Sequence, residues 1–302
     1  MSTRDFLRSA WDWKPSVVIG CGLMMAGYAW ASRLRFSAQR PARDNGGRLI
    51  PATQPRRAAL CTELPEGARA AAFAAGVLTI LLMLVSPLDE LADRYLFSVH
   101  MAKHILFVLI VPALLLIGLP AAPMERALRI RTLARIERFL RRPAVAWTAG
   151  VGAMIVWHMP AVFNAALALE PLHIAEHLSL LVCGTIFWWP ILSPLPPSRM
   201  KPLPHAAAYL FTACLACTSL GIAIAFAPSL LYPAYAHPAD VYLILPSIRE
   251  TWGISPLMDQ QIGGLLMWAP ACLVYVTAIM AMFARWYAEE AEPGKSVVEA
   301  FE

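Results

Sequence analysis

The sequence predicts an all-α integral membrane protein, a bundle of about seven transmembrane helices, and three observations support that prediction. Hydrophobic residues make up 59% of the 302 residues, and charged residues make up only 15%, whereas a soluble domain carries about 25% charged residues. The charges are clumped, so that long uncharged stretches lie between them. Several of these stretches reach the roughly 20 residues that a helix needs to cross the hydrocarbon core of a bilayer.

Seven apolar runs have the required length, and none shows the alternation typical of a membrane β-barrel. They cover residues 15–32, 68–86, 100–118, 143–159, 171–193, 205–227 and 262–284. The fourth run is short, and we expect its helix to begin somewhat before the apolar part. The chain 1–302 is interpreted as one polytopic membrane domain, with a flexible basic loop at 33–67 and a tail at 287–302.

The basic residues of alternate loops predict how these helices are oriented. Residues 33–69 contain eight arginines, and residues 119–142 contain seven. Loops rich in Arg and Lys stay in the cytoplasm, so we expect the amino terminus outside and the carboxyl terminus inside. The net charge of +5 reflects these loops, and we expect no nucleic acid as a partner. A signal peptide cleaved after Ala29-Trp30-Ala31 would leave the first arginine-rich loop outside, so we expect a retained helix instead.

Two pairs of histidines stand out at the predicted outer ends of the helices. His100 and His104 open the third run, His173 and His177 open the fifth, and His158 closes the fourth. Residues four apart lie on the same face of a helix, so each pair directs both rings toward the same region. Because neutral imidazole is the commonest metal ligand, we predict a metal site formed by the two pairs, with His158 as a further ligand.

A methionine and two acidic residues are predicted to lie near these histidines. Met101 follows His100 directly, and imidazole combined with thioether favours copper. We therefore predict copper as the metal and Met101 as a further ligand. Glu176, within the second pair, and Asp259, at the start of the last run, are predicted to orient the rings or to carry protons.

Two other patterns are interpreted without a functional role. His173-Ile-Ala-Glu176-His177 matches the H-x-x-E-H pattern of some zinc proteases, but no further acidic ligand and no soluble cleft accompany it. Cys214 and Cys217 form a C-x-x-C in the middle of the sixth run, where small side chains usually serve packing.

Four segments of the apolar region carry a distinctive pattern. They are His100-Met-Ala-Lys-His104 with Pro112 and Gly118-Leu-Pro120, Trp157-His158-Met-Pro160, His173-Ile-Ala-Glu176-His177 with Phe187-Trp188-Trp189-Pro190, and Asp259-Gln260-Gln261-Ile-Gly263-Gly264-Leu-Leu-Met267-Trp268-Ala-Pro270. These segments resemble the signatures of the multi-spanning CtaG family of cytochrome c oxidase assembly factors. The resemblance extends over residues 70–284.

The resemblance implies a non-catalytic assembly factor of the bacterial inner (plasma) membrane, which works in the lipid bilayer with subunits of cytochrome c oxidase. Together with the predicted ligands, it leads us to expect copper binding at the outer face and delivery of that copper to the oxidase. A haem-binding electron carrier, a membrane copper transporter and a membrane di-metal oxidase or hydroxylase are the alternatives. The oxidation state of the copper and the oligomeric state are left open.

Overall fold

The computed structural model describes residues 3–38, 64–195, 199–200 and 203–290. Within these ranges the regular structure is helical, without any strand. The helices are α1 (Thr3–Ser9), α2 (Pro15–Ala38), α3 (Glu66–Val85), α4 (Pro87–Glu90), α5 (Phe97–Ile105), α6 (Val111–Gly118), α7 (Ala121–Ala127), α8 (Arg131–Leu140), α9 (Pro143–Trp157), α10 (Pro160–Ala168), α11 (Glu170–Leu192), α12 (Leu203–Ala225) and α13 (Pro256–Glu290). Short π-helical stretches at Leu91–Tyr95 and Leu106–Ile110 flank α5, and a third occupies Ser247–Thr251.

The predicted fold class is confirmed. Six helical stretches of the described chain are long and apolar enough to cross a bilayer, and the number is seven if the bent pair α9 and α10 is counted as one span. The third of these stretches runs continuously over Phe97–Gly118, through α5, the π-helical stretch and α6. The orientation of the termini stays a prediction. Most of the predicted basic loop (39–63) and of the predicted tail (291–302) lies outside the described residues, while α2 continues to Ala38 and α13 to Glu290.

The fourth apolar run differs from the expectation. Helix α9 begins at Pro143, so the expected earlier start is wrong. Pro143 suits the first turn of a helix because its missing amide hydrogen is not needed there. At 15 residues, α9 rises about 22 Å, less than the roughly 30 Å of a bilayer core. The chain bends by 73° after α9 and continues as α10, and His158 lies at this bend.

Helix α11 approaches the third apolar stretch closely, and this contact brings the two histidine pairs together. A side chain at Gly184 would place its Cβ 2.5 Å from the carbonyl oxygen of Val108. Pro112 lacks the amide hydrogen that would otherwise bond this carbonyl within an α-helix. The absence of a side chain at Gly184 therefore lets the two backbones meet, two turns below His177.

Helices α12 and α13 also approach each other closely, at positions that are occupied by glycine. A Cβ at Gly221 would lie 2.8 Å from the carbonyl oxygen of Gly264, and a Cβ at Gly264 would lie 2.6 Å from the amide nitrogen of Ala225. Small residues that allow such approach are characteristic of helix contacts in membranes. Helix α13 packs against α5 as well, where Gly263 faces the side chains of Phe97 and Met101.

The connecting segments contain structure that the apolar runs did not predict. Helix α8 lies in the arginine-rich segment 119–142 and exposes Leu133, Ile136 and Phe139, as an amphipathic helix at a membrane surface does. At the opposite, histidine-bearing end of the bundle, residues 226–255 form a cover. The hydroxyls of Tyr232 and Tyr235 donate hydrogen bonds from this cover to the carbonyls of His158 and Ala92.

A buried histidine–carboxylate centre

The two predicted histidine pairs face each other at one end of the bundle. On α5 the Nε2 atoms of His100 and His104 lie 2.9 Å apart. The ring of His177 on α11 lies with its centroid 5.5 Å from each of those two rings. His173 lies one turn further along α11 and stacks beside His100 at 5.6 Å. The spacing of the residues in the sequence thus becomes a cluster of four imidazoles between two helices.

Glu176 lies inside this cluster and completes it. Its side chain is fully buried, with Oε1 3.5 Å from Nε2 of His104 and Oε2 3.9 Å from Nε2 of His100. Neither carboxylate oxygen has a hydrogen-bond partner, and neither has Nε2 of His177. A buried carboxylate without a partner is costly unless a proton or a cation compensates it. Two carboxylate oxygens and one imidazole nitrogen are therefore available to bind a positively charged group.

Hydrogen bonds behind the cluster fix which ring nitrogens carry hydrogen. Nδ1 of His158 lies 2.6 Å from the carbonyl oxygen of Met154, which only accepts, so this nitrogen is the protonated one. Nε2 of His158 then accepts from Nδ1 of His104 at 3.2 Å. In the neutral ring, the lone pair of His104 is left on Nε2, facing His100 and Glu176. His158 therefore orients His104 and is not placed as a direct ligand in this cluster.

Asp93 forms the outer part of the centre, and the sequence pattern did not single it out. Its Oδ1 accepts a hydrogen bond from Nζ of Lys103 at 2.7 Å and lies 3.4 Å from Nδ1 of His100 and 3.5 Å from Nε2 of His173. Burial favours the neutral acid, but Lys103 and these two imidazoles outweigh burial and hold the pKa of Asp93 well below its ordinary value. Asp93 is thus an ionised group at neutral pH.

A network of alternating charges supports Asp93. Nζ of Lys103, which is buried within the third apolar stretch, donates to Oδ1 of Asp89 at 2.7 Å as well as to Asp93. Nζ of Lys14 donates to the other oxygen of Asp89 at 2.8 Å. The two lysines and two aspartates compensate one another, so none of these cations is directed at Glu176.

The side chains of the centre differ in their exposure to solvent. The side chains of His100 and Glu176 are completely buried, whereas those of His173 and Asp93 retain 13% and 20% of their exposure. A surface pocket of about 150 Å³ reaches Asp93 and is bordered by Arg94, Tyr235 and Pro238, among others. An ion entering from the surface therefore meets Asp93 and His173 before it meets the buried donors.

The donor atoms lie close to the spacing at which side chains hold a metal ion. One ligand atom each from His100, His104, Glu176 and His177 lie within 4.8 Å of one another, and so do those of Asp93, His173 and His177. Two imidazole nitrogens bound to one ion at about 2.0–2.1 Å lie about 2.9 to 3.4 Å apart. His177 belongs to both groups, so the two groups of donors adjoin each other.

The remaining predicted site residues lie elsewhere. Met101 is fully buried and packs toward Gly263 on α13, while His100 faces α11. Asp259 accepts hydrogen bonds from the backbone amides of Phe97 at 2.7 Å and Ser98 at 3.1 Å. Both of its oxygens therefore fix the start of α5. Neither of these hydrogen bonds orients a histidine ring, which is the role that the sequence predicted.

Fold and centre together define a multi-pass, all-helical membrane protein with a buried cluster of imidazoles and carboxylates suited to a transition metal. The chain belongs to the cytochrome c oxidase caa3 assembly factor family (Caa3_CtaG), whose model matches residues 52–289. The predicted family is thereby confirmed.

The curated relatives are themselves uncharacterised proteins. Those of Mycobacterium bovis and Mycobacterium tuberculosis are 24% identical to this chain over 209 residues, and that of Mycobacterium leprae is 26% identical over 209 residues. Each match covers 63% of this chain but only 30% of the relative. No solved structure matches the chain. The family is described as one of assembly factors for caa3-type cytochrome c oxidase, and the mycobacterial relatives add no further function.

Proposed function

We propose that this protein binds copper at the histidine–carboxylate centre and passes it to cytochrome c oxidase during assembly in the bacterial inner membrane. The observation that supports copper binding most directly is Glu176, whose two buried oxygens and whose neighbour, Nε2 of His177, have no hydrogen-bond partner. A metal ion bound there satisfies all three atoms at once. In this proposal copper is cargo, and the protein itself performs no catalysis.

The kinds of ligand atom in the centre indicate which oxidation state of copper it binds. Met101 was predicted to add a thioether, but it packs toward α13, so the centre consists of imidazoles and carboxylates. Such nitrogen and oxygen donors suit Cu(II) better than thioether-rich sites do. We therefore propose that Cu(II) occupies the centre, with Glu176 and His177 as ligands beside His100 and His104.

The difference in exposure between the outer and the buried ligands supports a role in copper delivery. Asp93 lines the surface pocket, Nε2 of His173 lies 3.5 Å from Oδ1 of Asp93, and His177 belongs to both donor groups. An ion moves between the two groups by exchanging ligands one at a time, because His177 holds it throughout. Capture and release through one opening is the behaviour that a delivery site needs.

The haem alternative is less consistent with the geometry. A haem iron with two axial histidines holds them on opposite faces of the macrocycle. The rings of His100 and His177, which lie on different helices, have centroids 5.5 Å apart and are tilted by 38°, and the buried carboxylate of Glu176 lies beside them, which leaves no room for a macrocycle between these two rings.

Metal analysis tests the proposal. The purified chain is incubated with Cu(II) alone, without a reductant, washed, and assayed for copper per protein. We expect the double variants His100→Ala/His104→Ala and His173→Ala/His177→Ala to lose most of the copper, and His205→Ala, at the exposed start of α12, to retain it. Full copper content in both double variants overturns the binding site.

A second measurement tests delivery. Membranes of a strain lacking the gene are assayed for oxidase activity and for copper per oxidase. We expect oxidase subunits to be present with low copper, and excess external copper to restore activity in part by mass action. A normal copper content of the oxidase in that strain overturns the delivery role.

A further inference from the structure

A second cavity lies on the inner side of the histidine centre, deeper in the bundle. It has a volume of about 20 Å³, and His104, His158, Met154, Cys217 and Met267 contribute to its lining. A cavity of about 10–15 Å³ accommodates one water-sized guest. The two imidazoles at its upper end belong to the chain that orients His104, so this cavity adjoins the centre directly.

The lower part of this cavity is lined by sulfur. Sγ of Cys217, on α12, lies 3.4 Å from Sδ of Met154, on α9. Met267, on α13, lines the same space, and all three side chains are buried. Two sulfur ligands bound to one ion at about 2.3 Å lie about 3.3 to 4.6 Å apart, depending on the bond angle. The observed separation falls within that interval.

We propose that Cys217, Met154 and Met267 form a second metal site, which binds Cu(I). Soft thiolate and thioether ligands select Cu(I), whereas the imidazole–carboxylate centre above them suits Cu(II). Met154 lies one helical turn, about 6 Å along α9, from His158, which is hydrogen-bonded to His104 of the centre. The inference rests on the proposed copper-binding function and adds a place for the reduced ion.

The charge balance of this site suits its apolar surroundings. Binding of Cu(I) replaces the proton of the Cys217 thiol, and that proton leaves to the solvent. The resulting Cu(I)–thiolate pair is neutral, so it avoids the cost of an isolated charge among apolar side chains. The hydroxyl of Tyr275 lies 3.5 Å from Sγ of Cys217 and is placed to donate a hydrogen bond to the thiolate.

A neighbouring pair of thiols provides a matched comparison. Sγ of Cys214 and Sγ of Cys272 lie 3.0 Å apart, and both residues are only partly buried. Neither lines the cavity. Cys183, a partly buried thiol on α11, provides a second control.

The experiment loads the purified full chain with Cu(I) alone under reducing conditions, with a competing chelator, and records X-ray absorption at the copper edge. We expect a copper–sulfur distance of about 2.3 Å in the wild type. Cys217→Ser and Met154→Leu/Met267→Leu should lose that signal and bind one copper ion fewer. Cys183→Ser and Cys214→Ser/Cys272→Ser should keep it, and so should His173→Ala/His177→Ala. Thermal unfolding in detergent verifies that each variant is folded, and the methionine-to-leucine changes nearly preserve volume.

The outcomes separate this inference from the proposed function. Copper bound to nitrogen and oxygen alone in the wild type overturns the sulfur site and leaves the histidine centre standing. A sulfur signal that survives in Cys217→Ser, or that is lost in Cys214→Ser/Cys272→Ser, also overturns it. A wild type that binds no copper overturns both.

Discussion

The Nε2 atoms of His100 and His104 lie 2.9 Å apart on adjacent turns of α5, and both face a carboxylate that has no hydrogen-bond partner. His104 presents a lone pair there, because its other nitrogen donates toward His158. The centre is thus arranged to receive a cation, and its parts make different contributions that substitutions separate.

Removal of the buried carboxylate should affect binding and stability in opposite directions. We expect Glu176→Gln to lower copper affinity by at least about 100-fold, the upper range for groups that only support a ligand. The metal-free variant should be as stable as the wild type or more stable, because the cost of burying a carboxyl group without a hydrogen-bond partner is removed. Chelator competition and thermal unfolding in detergent measure the two effects. The exposed Glu170→Gln, on the same helix, should change neither, and an unchanged affinity in Glu176→Gln contradicts the assignment.

His158 should act through the orientation of His104. His158→Phe removes both hydrogen bonds, and we expect copper affinity to fall by about 10–100-fold. His158→Gln offers an acceptor to His104 and a donor to the carbonyl of Met154, so it should retain more affinity than the phenylalanine variant. His237→Ala, in the exposed part of the cover, serves as the control. Equal losses in the phenylalanine and glutamine variants would show that orientation is not the role of His158.

Asp259 should contribute to folding more than to binding. Asp259→Ala leaves the amides of Phe97 and Ser98 without their acceptor, and we expect a loss of about 2 to 4 kcal/mol of unfolding free energy. Denaturant unfolding in detergent measures this loss, with the exposed Glu250→Ala as the control. A stable variant that fails to bind copper would instead assign Asp259 to the metal centre.

Lys103 should be a strong determinant of stability. Lys103→Met leaves Asp89 and Asp93 without their buried cation, and breaking such a pair costs about 3–5 kcal/mol. The second change Asp93→Asn should recover part of that loss in a double-mutant cycle. Arg94→Met breaks only an exposed ion pair with Glu90, and we expect it to cost less than about 1 kcal/mol. Additive effects of Lys103→Met and Asp93→Asn would argue against their coupling.

The orientation of the chain needs a separate test. The distribution of arginines predicts that reporters fused within 39–63 or within 291–302 are cytoplasmic, and that a reporter near His237 is external. An external signal from either of the first two fusions would place the histidine centre at the cytoplasmic end of the bundle.

The sequence predicted the helices and the histidine pairs because both depend on local periodicity. Apolar length sets a membrane helix, and i, i+4 spacing sets a shared face. Met101 was predicted as a ligand because it follows His100 directly in the sequence, and helical periodicity was not applied to it. Consecutive residues of an α-helix point about 100° apart, so Met101 cannot share the direction of His100, and it packs toward α13 instead.

Other features depended on tertiary contacts that no local pattern reveals. Asp93 lies in a short connection before α5, and only the fold brings it to His100 and His173. Lys103 was the sequence feature that could have indicated Asp93. A charged side chain inside an apolar run requires a buried partner of opposite charge. Asp259 likewise meets Phe97 across 162 positions of sequence. The bend after α9 was missed because the apolar run ends there and α10 begins a new one.

The cover formed by residues 226–255 has a kinetic consequence. Tyr232 stacks on Phe97 with ring centroids 4.4 Å apart, and its hydroxyl holds the carbonyl of His158. Local opening of such a segment requires these contacts to break together. In the proposed function, the donors of the centre would set how tightly an ion is bound, while the cover would set how long it stays. A partner that displaces the cover would then shorten the residence time of the ion without altering any ligand.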